Sequence, residues 1–366
     1  GEEDDITLKF SYTITDRNGD SLTSNSLYVT IDDDSPTIAG EYEPIQALAE
    51  EDGLSMEEGN EPPGGYNDQA DQSEGNKEDS ETNTDDEANG TAYGSLADLV
   101  SMGADSPGTF SLSTNTSGMD NLYSQGDLVT YSVSGDTLTA TAGGRTVFTL
   151  QVDEDGDWRF DLDDQLDHVG PQDPGVENTA LLTPEGSTPY IDFSAVIVAT
   201  DFDQDSFDAF PAGTFVIAVK DDIPEAEAEP QSISATLDES GLNSGIDEGA
   251  AGTAEDDLSD GNPDNAADTA GTSDEDSGSG TSSVATLFSI GADEDDNDGT
   301  AEVSYGFVTD VSALDALNLT SQGDAVTFTS DGQTLTASAG GRTVMTVEIT
   351  AATGNWTADL DDQFDH

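Results

Sequence analysis

The chain contains no cysteine. Neither a disulfide nor a thiolate metal site can form, so rigidity must come from packing, hydrogen bonds or ions held by oxygen. Basic residues are nearly as scarce. Lys9, Arg17, Lys77, Arg145, Arg159, Lys220 and Arg342 stand against 80 Asp and Glu, and the formal net charge is −73. Nucleic acid and anionic membrane surfaces are bound through clustered Lys and Arg, so both are excluded as partners. The two histidines, His168 and His366, have no second histidine near them in sequence, and no zinc site is expected. No apolar run reaches the 18 residues of a membrane span, and direct membrane insertion is not expected. A nucleophile elbow, a phosphate-cradling glycine loop and a His-Glu zinc motif are all missing. Paired carboxylates occur throughout, so a glycosidase pair cannot be singled out. An enzyme is not expected.

What is present is a repeat. Residues 124–149 (SQGDLVTYSVSGDTLTATAGGRTVFT) return as 321–346 (SQGDAVTFTSDGQTLTASAGGRTVMT), identical at 18 of 26 positions without a gap. Each copy runs on through a Trp to an acidic close, DLDDQLDH at 161–168 and DLDDQFDH at 359–366, which sets the period at 197–198 residues. Further blocks match. Residues 6–21 align with 191–206, 31–36 with 219–224, and 49–54 with 237–242; Gly103-Ala104-Asp105 aligns with Gly291-Ala292-Asp293. The expected division is 1–36 as the end of one repeat, 37–224 as a complete repeat, and 225–366 as the start of the next. A tandem array of this length points to a structural protein.

The ordered segments read as β-structure. Ile191, Phe193, Ala195, Ile197 and Ala199 alternate with their neighbours, as do Phe215, Ile217 and Val219, which predicts half-buried strands. Residues 127–162 read as an antiparallel meander. Val129, Tyr131 and Val133 mark its first strand, and Leu138 to Ala142 the second. Gly143-Gly144 supplies the tight turn, Thr146 to Val152 the third strand, and Trp158 to Leu162 the last. Trp158 and Trp356 hold equivalent places and are expected core anchors. Short helical turns are expected near 95–101 and 312–318. Two aperiodic stretches, 55–91 and 243–282, hold acidic and small polar residues and cannot bury enough apolar area to offset chain entropy. They are expected to be acidic inserted loops.

Carboxylates recur at fixed places. Asp16, Asn18 and Asp20, and in the next copy Asp201, Asp203 and Asp205, follow a strand with oxygens at alternate positions. Such side chains converge on one point, as Ca²⁺ requires for its six to eight oxygen ligands. Asp and Asn also favour solvated turns for backbone reasons. Asp153, Asp155 and Asp157 show the pattern in one copy only, since their counterparts at 350–355 carry no carboxylate. Asp32, Asp33 and Asp34, and Asp221 and Asp222, precede Pro36 and Pro224 at the presumed junctions. There they are placed to share Ca²⁺ with Glu51 or Glu239. The acidic close adds Asp163 and Asp361. Calcium or a solvated linker both remain open at these last positions.

The DDxP junctions, the DxDxD loop after a strand, and the AGGRTV and DLDDQxDH blocks together resemble a repeat of giant RTX-type bacterial adhesins exported by type I secretion. The RTX nonapeptide itself, GGxGxDx, is missing. The resemblance implies an extracellular, cell-surface location. It implies calcium-rigidified β-sandwich domains of Ig-like or cadherin-like form, strung into a stalk for cell adhesion and biofilm formation. It assigns calcium to Asp16, Asn18 and Asp20, and to Asp201, Asp203 and Asp205. The period is nearly twice that of the short extender repeats. The expected partners are neighbouring repeats of the same long chain, with self-association into fibres a further expectation. The alternative is a calcium-dependent glycan- or protein-binding module of such an adhesin.

Carboxylates about 5 Å apart, at an effective dielectric of about 20, repel by roughly 3 kcal/mol per pair. A chain of this charge should therefore fold in linkage with cations. One site binding only the native state stabilises by about 2.7 kcal/mol at a hundredfold excess over Kd. Melting temperature is expected to rise strongly with millimolar Ca²⁺ and to fall with a chelator. An equal rise with NaCl at matched ionic strength would reduce the effect to screening.

Overall fold

A computed structural model describes residues 5–54, 73, 75, 90–170, 176–226, 233–237, 239, 242, 277–279, 283–292 and 303–366. Most of both expected acidic inserts lies outside these residues. The chain is all-β with very little helix, and it divides into two compact units. The first holds residues 1–223 with 291–293, the second 224–290 with 294–366.

In the first unit the expected meander is present. Strands Thr130–Ser134, Thr137–Ala142, Arg145–Val152 and Asp157–Leu162 pair in sequence order, and Thr91–Ser95 adds to the last, all antiparallel. Alternation explains the layer. Leu138, Ala140 and Ala142 point inward while the intervening threonines face outward. Gly143 and Gly144 both have positive φ, +56° and +91°, which a two-residue hairpin of matching twist requires.

A second layer covers the inner face of this sheet. Phe215–Lys220 pairs with Ile191–Asp192 and, in parallel, with Ile45–Glu50. Ile197–Thr200 pairs with Thr109–Leu112 and Ser206–Phe207. Aromatic contacts between the layers form the core. Phe148 meets Phe193 at 6.0 Å between ring centroids, Phe160 meets Phe193 at 6.1 Å, and Trp158 meets Phe215 at 4.8 Å.

The alternating run 191–199 is not one strand. Ile191–Asp192 and Ile197–Thr200 are separated by a 3₁₀ turn at Ser194–Val196. Polar side chains hold that turn. Asp192 Oδ1 accepts from Ser194 N (2.9 Å) and Oδ2 from Gly213 N (2.8 Å); Ser194 Oγ accepts from Thr214 N (3.0 Å) and Phe215 N (3.1 Å). The chain thereby leaves one sheet of the layer and enters the other. Phe193, Val196 and Ile197 are all buried while Ala195 is exposed. The helical turns expected near 95–101 and 312–318 are present as the 3₁₀ turn Ala97–Leu99 and the single α turn Ser312–Asp315.

The first unit also contains an antiparallel ribbon, Ile6–Thr15 with Ser21–Ile31. The second unit repeats the meander as Asp324–Ser330, Thr334–Ala339, Arg342–Ile349 and Trp356–Leu360, with Ser277–Ser279 added to the last. Its small core holds Val326, Phe328, Ala337, Ala339 and Val344. Trp158 is buried, whereas Trp356 is only half-buried.

The difference in cover predicts a difference in cost. Trp158→Ala removes a fully packed ring and should destabilise the first unit by about 3–5 kcal/mol. Trp356→Ala should cost the second unit clearly less. Urea unfolding of both variants in calcium, followed by circular dichroism, measures this, and equal costs would contradict the assigned packing.

Candidate metal centre

The loop Asp201–Asp205 joins Ile197–Thr200 to Ser206–Phe207, and local hydrogen bonds fix it. Asp201 N donates to Asp205 O (3.0 Å), and Asp205 N donates to Asp201 Oδ1 (2.8 Å). The second oxygen, Asp201 Oδ2, is buried and receives no hydrogen bond, although the residue is only 5 % exposed. A buried anionic oxygen without a donor is costly unless a cation reaches it.

Two further segments come to this loop. Phe202 N donates to Asp105 O (3.0 Å), which docks the Gly103–Asp105 turn. The segment after the ribbon adds Asp33, and Ser35 Oγ donates to Asp205 Oδ2 (3.1 Å). Ligand oxygens of Asp33, Asp105 and Asp203 lie within 4.8 Å of one another, as do those of Asp201, Asp203 and Asp205. Asp203 belongs to both groups. Five carboxylates from three segments thus converge, an all-oxygen donor set that fits a hard cation such as Ca²⁺ and is unsuited to a soft one.

The electrostatics carry the mark of this crowding. Lost hydration raises Asp203, the adjoining Asp201 carboxylate and the charges of Asp33 and Asp105 add to it, and its pKa is pushed up to about 6. Asp105 is raised for the same reasons, lost hydration first and then Asp33, Asp201, Asp34 and Asp205.

The neighbouring Asp34 does a different job. Its Oδ2 accepts from Ala104 N at 2.8 Å. Gly103 (φ +62°) must be glycine here, because a Cβ would strike the Asp34 carboxylate. The next copy repeats the bond, with Asp222 Oδ2 accepting from Ala292 N at 2.9 Å beside Gly291 (φ +80°).

Glu51, His168 and Asp221 form another group. His168 Nδ1 lies 3.8 Å from Glu51 Oε1 and 3.4 Å from Asp221 Oδ1. Its ring nitrogens also face two backbone carbonyls, Leu166 O at 2.9 Å and Val219 O at 3.1 Å. Carbonyls only accept, so the ring is hemmed in by acceptors on both of its nitrogens, with the two carboxylates beside it. Glu51 Oε1 accepts from Leu166 N (2.7 Å) and Asp221 Oδ2 from Asn178 Nδ2 (3.1 Å). Burial raises the Asp221 pKa and His168 opposes that shift.

The other expected positions are placed differently. In the ribbon, Asp16 Oδ1 accepts from Asn18 N and Asp20 N, both at 2.9 Å, in a fully exposed loop. Asp153 Oδ1 accepts likewise from Asp155 N (3.0 Å) and Asp157 N (2.9 Å), again exposed. Asp32 is exposed and outside both carboxylate groups. Asp163 is buried and Asp361 half-buried, and neither enters a ligand group among the described residues. The adjacent Asp164 instead pairs with Arg145, and Asp362 with Arg342. Glu239 accepts from Phe364 N (2.7 Å) and lies 3.3 Å from His366 Nε2. Asp105 was not singled out as a ligand from sequence, yet its Gly-Ala-Asp block is one of the repeated ones.

No protein-family model, curated protein or solved structure matches this chain. Among the described residues no helix is long and apolar enough to cross a membrane.

A pKa raised in the folded state means that the folded state binds the proton more tightly. Without calcium, protonation of Asp203 should therefore make the protein more stable as pH falls through about 6 toward 4. Protons compete with the cation, so the calcium-induced rise in melting temperature should shrink over the same interval. Asp52, which burial and the charge of Glu50 push up to about 7, adds to the first trend. Asp203→Asn should remove the calcium-sensitive part and leave the Asp52 part. A calcium increment unchanged between pH 7 and pH 5 would contradict the assignment.

Proposed function

We propose that this chain is a calcium-stabilised structural spacer, a stalk or extender repeat of a large extracellular bacterial adhesin or surface fibre that supports cell adhesion and biofilm formation. One observation carries the reading. Asp33, which closes the preceding sequence repeat, lies within ligand distance of Asp105 and Asp203 of the next. A cation there ties successive repeats together without any covalent bond. The flanking bond from Ala104 N to Asp34, repeated as Ala292 N to Asp222, aligns the same segments and recurs with the repeat. Oxygen sites of modest affinity fill at the millimolar calcium found outside cells and stay empty inside them. The partners are then neighbouring repeats of one long chain, and the work done is mechanical.

A calcium-dependent glycan- or protein-binding module is the second reading, favoured by Phe202, which is 75 % exposed inside the carboxylate loop. Its counterpart in the other copy is Arg17. Phe202→Ala should leave calcium binding intact under either reading, and loss of binding to a defined glycan or protein would favour the second.

Equilibrium dialysis should find one calcium fewer per chain in Asp203→Ala than in the parent. Small-angle scattering should give a narrower distance distribution in calcium than in chelator, and Asp33→Ala should abolish that difference. A distribution indifferent to calcium in the parent protein would overturn the spacer reading.

A further inference from the structure

The parallel strands Ile45–Glu50 and Phe215–Lys220 end together. Glu50 lies opposite Lys220, so the next residues, Glu51 and Asp221, leave the sheet side by side. His168 of the acidic close lies with them, bridged to Leu181. All three side chains are buried, with His168 3 %, Glu51 0 % and Asp221 8 % exposed. They share no residue with the cluster at the Asp201–Asp205 loop, and all belong to the first unit.

The imidazole lacks a complement inside the protein. A neutral ring carries one N–H and one lone pair. With the N–H on Nε2, it donates to Val219 O at 3.1 Å. The Nδ1 lone pair then faces Leu166 O at 2.9 Å, Asp221 Oδ1 at 3.4 Å and Glu51 Oε1 at 3.8 Å, with no donor among the described residues. A buried nitrogen lone pair set against three oxygens is repulsive unless a positive centre stands between them. Metal-bound histidines ordinarily give their other N–H to a backbone carbonyl, the part Val219 O plays here. The carboxylates are also held in place. Asp221 Oδ2 accepts from Asn178 Nδ2 (3.1 Å), which turns Oδ1 toward the ring, and Glu51 Oε1 accepts from Leu166 N (2.7 Å).

Half of this arrangement is built a second time. In the second unit Glu239 Oε1 accepts from Phe364 N, also at 2.7 Å, and lies 3.3 Å from His366 Nε2. Glu239, Phe364 and His366 are the repeat counterparts of Glu51, Leu166 and His168.

We propose that Glu51, His168 and Asp221 form a second metal site, one that takes a borderline divalent cation such as Zn²⁺ through His168 Nδ1 and one oxygen of each carboxylate. Ligands at about 2.0–2.2 Å from a tetrahedral ion stand about 3.4 Å apart, close to the spacing of this group. Imidazole nitrogen suits Zn²⁺ and its neighbours, whereas Ca²⁺ takes oxygen alone. Two carboxylates stand where a second histidine would otherwise be required. The ion pins the ends of the parallel strand pair to the acidic close, and it does so independently of the calcium cluster.

Zinc binding in millimolar Ca²⁺, which occupies the all-oxygen sites, tests this. Equilibrium dialysis of the full chain at constant pH should show that His168→Ala holds one Zn²⁺ fewer than the parent, while Asp203→Ala holds as many. Micromolar Zn²⁺ should raise the melting temperature of the parent by several degrees and leave that of His168→Ala unmoved. The chain has only two histidines, so His366→Ala leaves His168 as the sole imidazole. In that chain, nitrogen-15 spectra of the ring should show Nδ1 shifting on addition of Zn²⁺ while Nε2 keeps its proton. If His168→Ala fails to fold by circular dichroism, these spectra decide. Equal zinc uptake by parent and a folded His168→Ala, or a His168 Nδ1 that keeps its proton at saturating Zn²⁺, would overturn the proposal.

Discussion

Repulsion between carboxylates is the constraint on which the rest of this structure depends. The chain has too few basic residues to neutralise itself, so each dense acidic point must find another solution. Three are visible. Asp164 and Asp362 are buried against Arg145 and Arg342, which spends two of the seven basic residues on the same place in both copies. Glu51 and Asp221 enclose His168. Asp33, Asp105, Asp201, Asp203 and Asp205 converge on one another, with an oxygen of Asp201 buried and undonated. The first solution lies inside the protein. The third points to an ion from solution, and so makes stability a function of the medium.

The β-sandwich positions that third site. Alternating residues bury one face of the meander, and Phe193 and Phe215 seal it from the other layer. The 3₁₀ turn at Ser194–Val196 moves the chain between sheets and delivers the Asp201–Asp205 loop to an edge, where the Gly103–Asp105 turn reaches it. Gly103 allows Asp34 to approach the backbone of that turn, which seats Asp33 beside Asp105. Packing, backbone freedom and charge thus act on the same few residues.

Much of this was legible in the sequence. The meander follows from alternation and from the Gly-Gly turn, both of which are local. The DxDxD loop showed as a loop, but nothing local distinguishes Asp201–Asp205 from Asp16–Asp20 or Asp153–Asp157. All three use their first Asp to cap their own backbone. Only the approach of other segments makes one of them a five-carboxylate cluster, and that approach is tertiary. Asp105 was hidden for the same reason, although its repeated Gly-Ala-Asp block was a usable signal. The 191–199 run misled because the hydroxyl of Ser194 and the carboxylate of Asp192 bend a pattern that apolar alternation alone reads as straight.

The account stands or falls on an ion among Asp33, Asp105, Asp201, Asp203 and Asp205. A crystal structure grown in calcium, with anomalous scattering recorded, tests this directly. The account predicts anomalous density between these side chains, with carboxylate oxygens about 2.3–2.6 Å away. Asp33 and Asp203 turned apart into solvent, with no density between them, would contradict it.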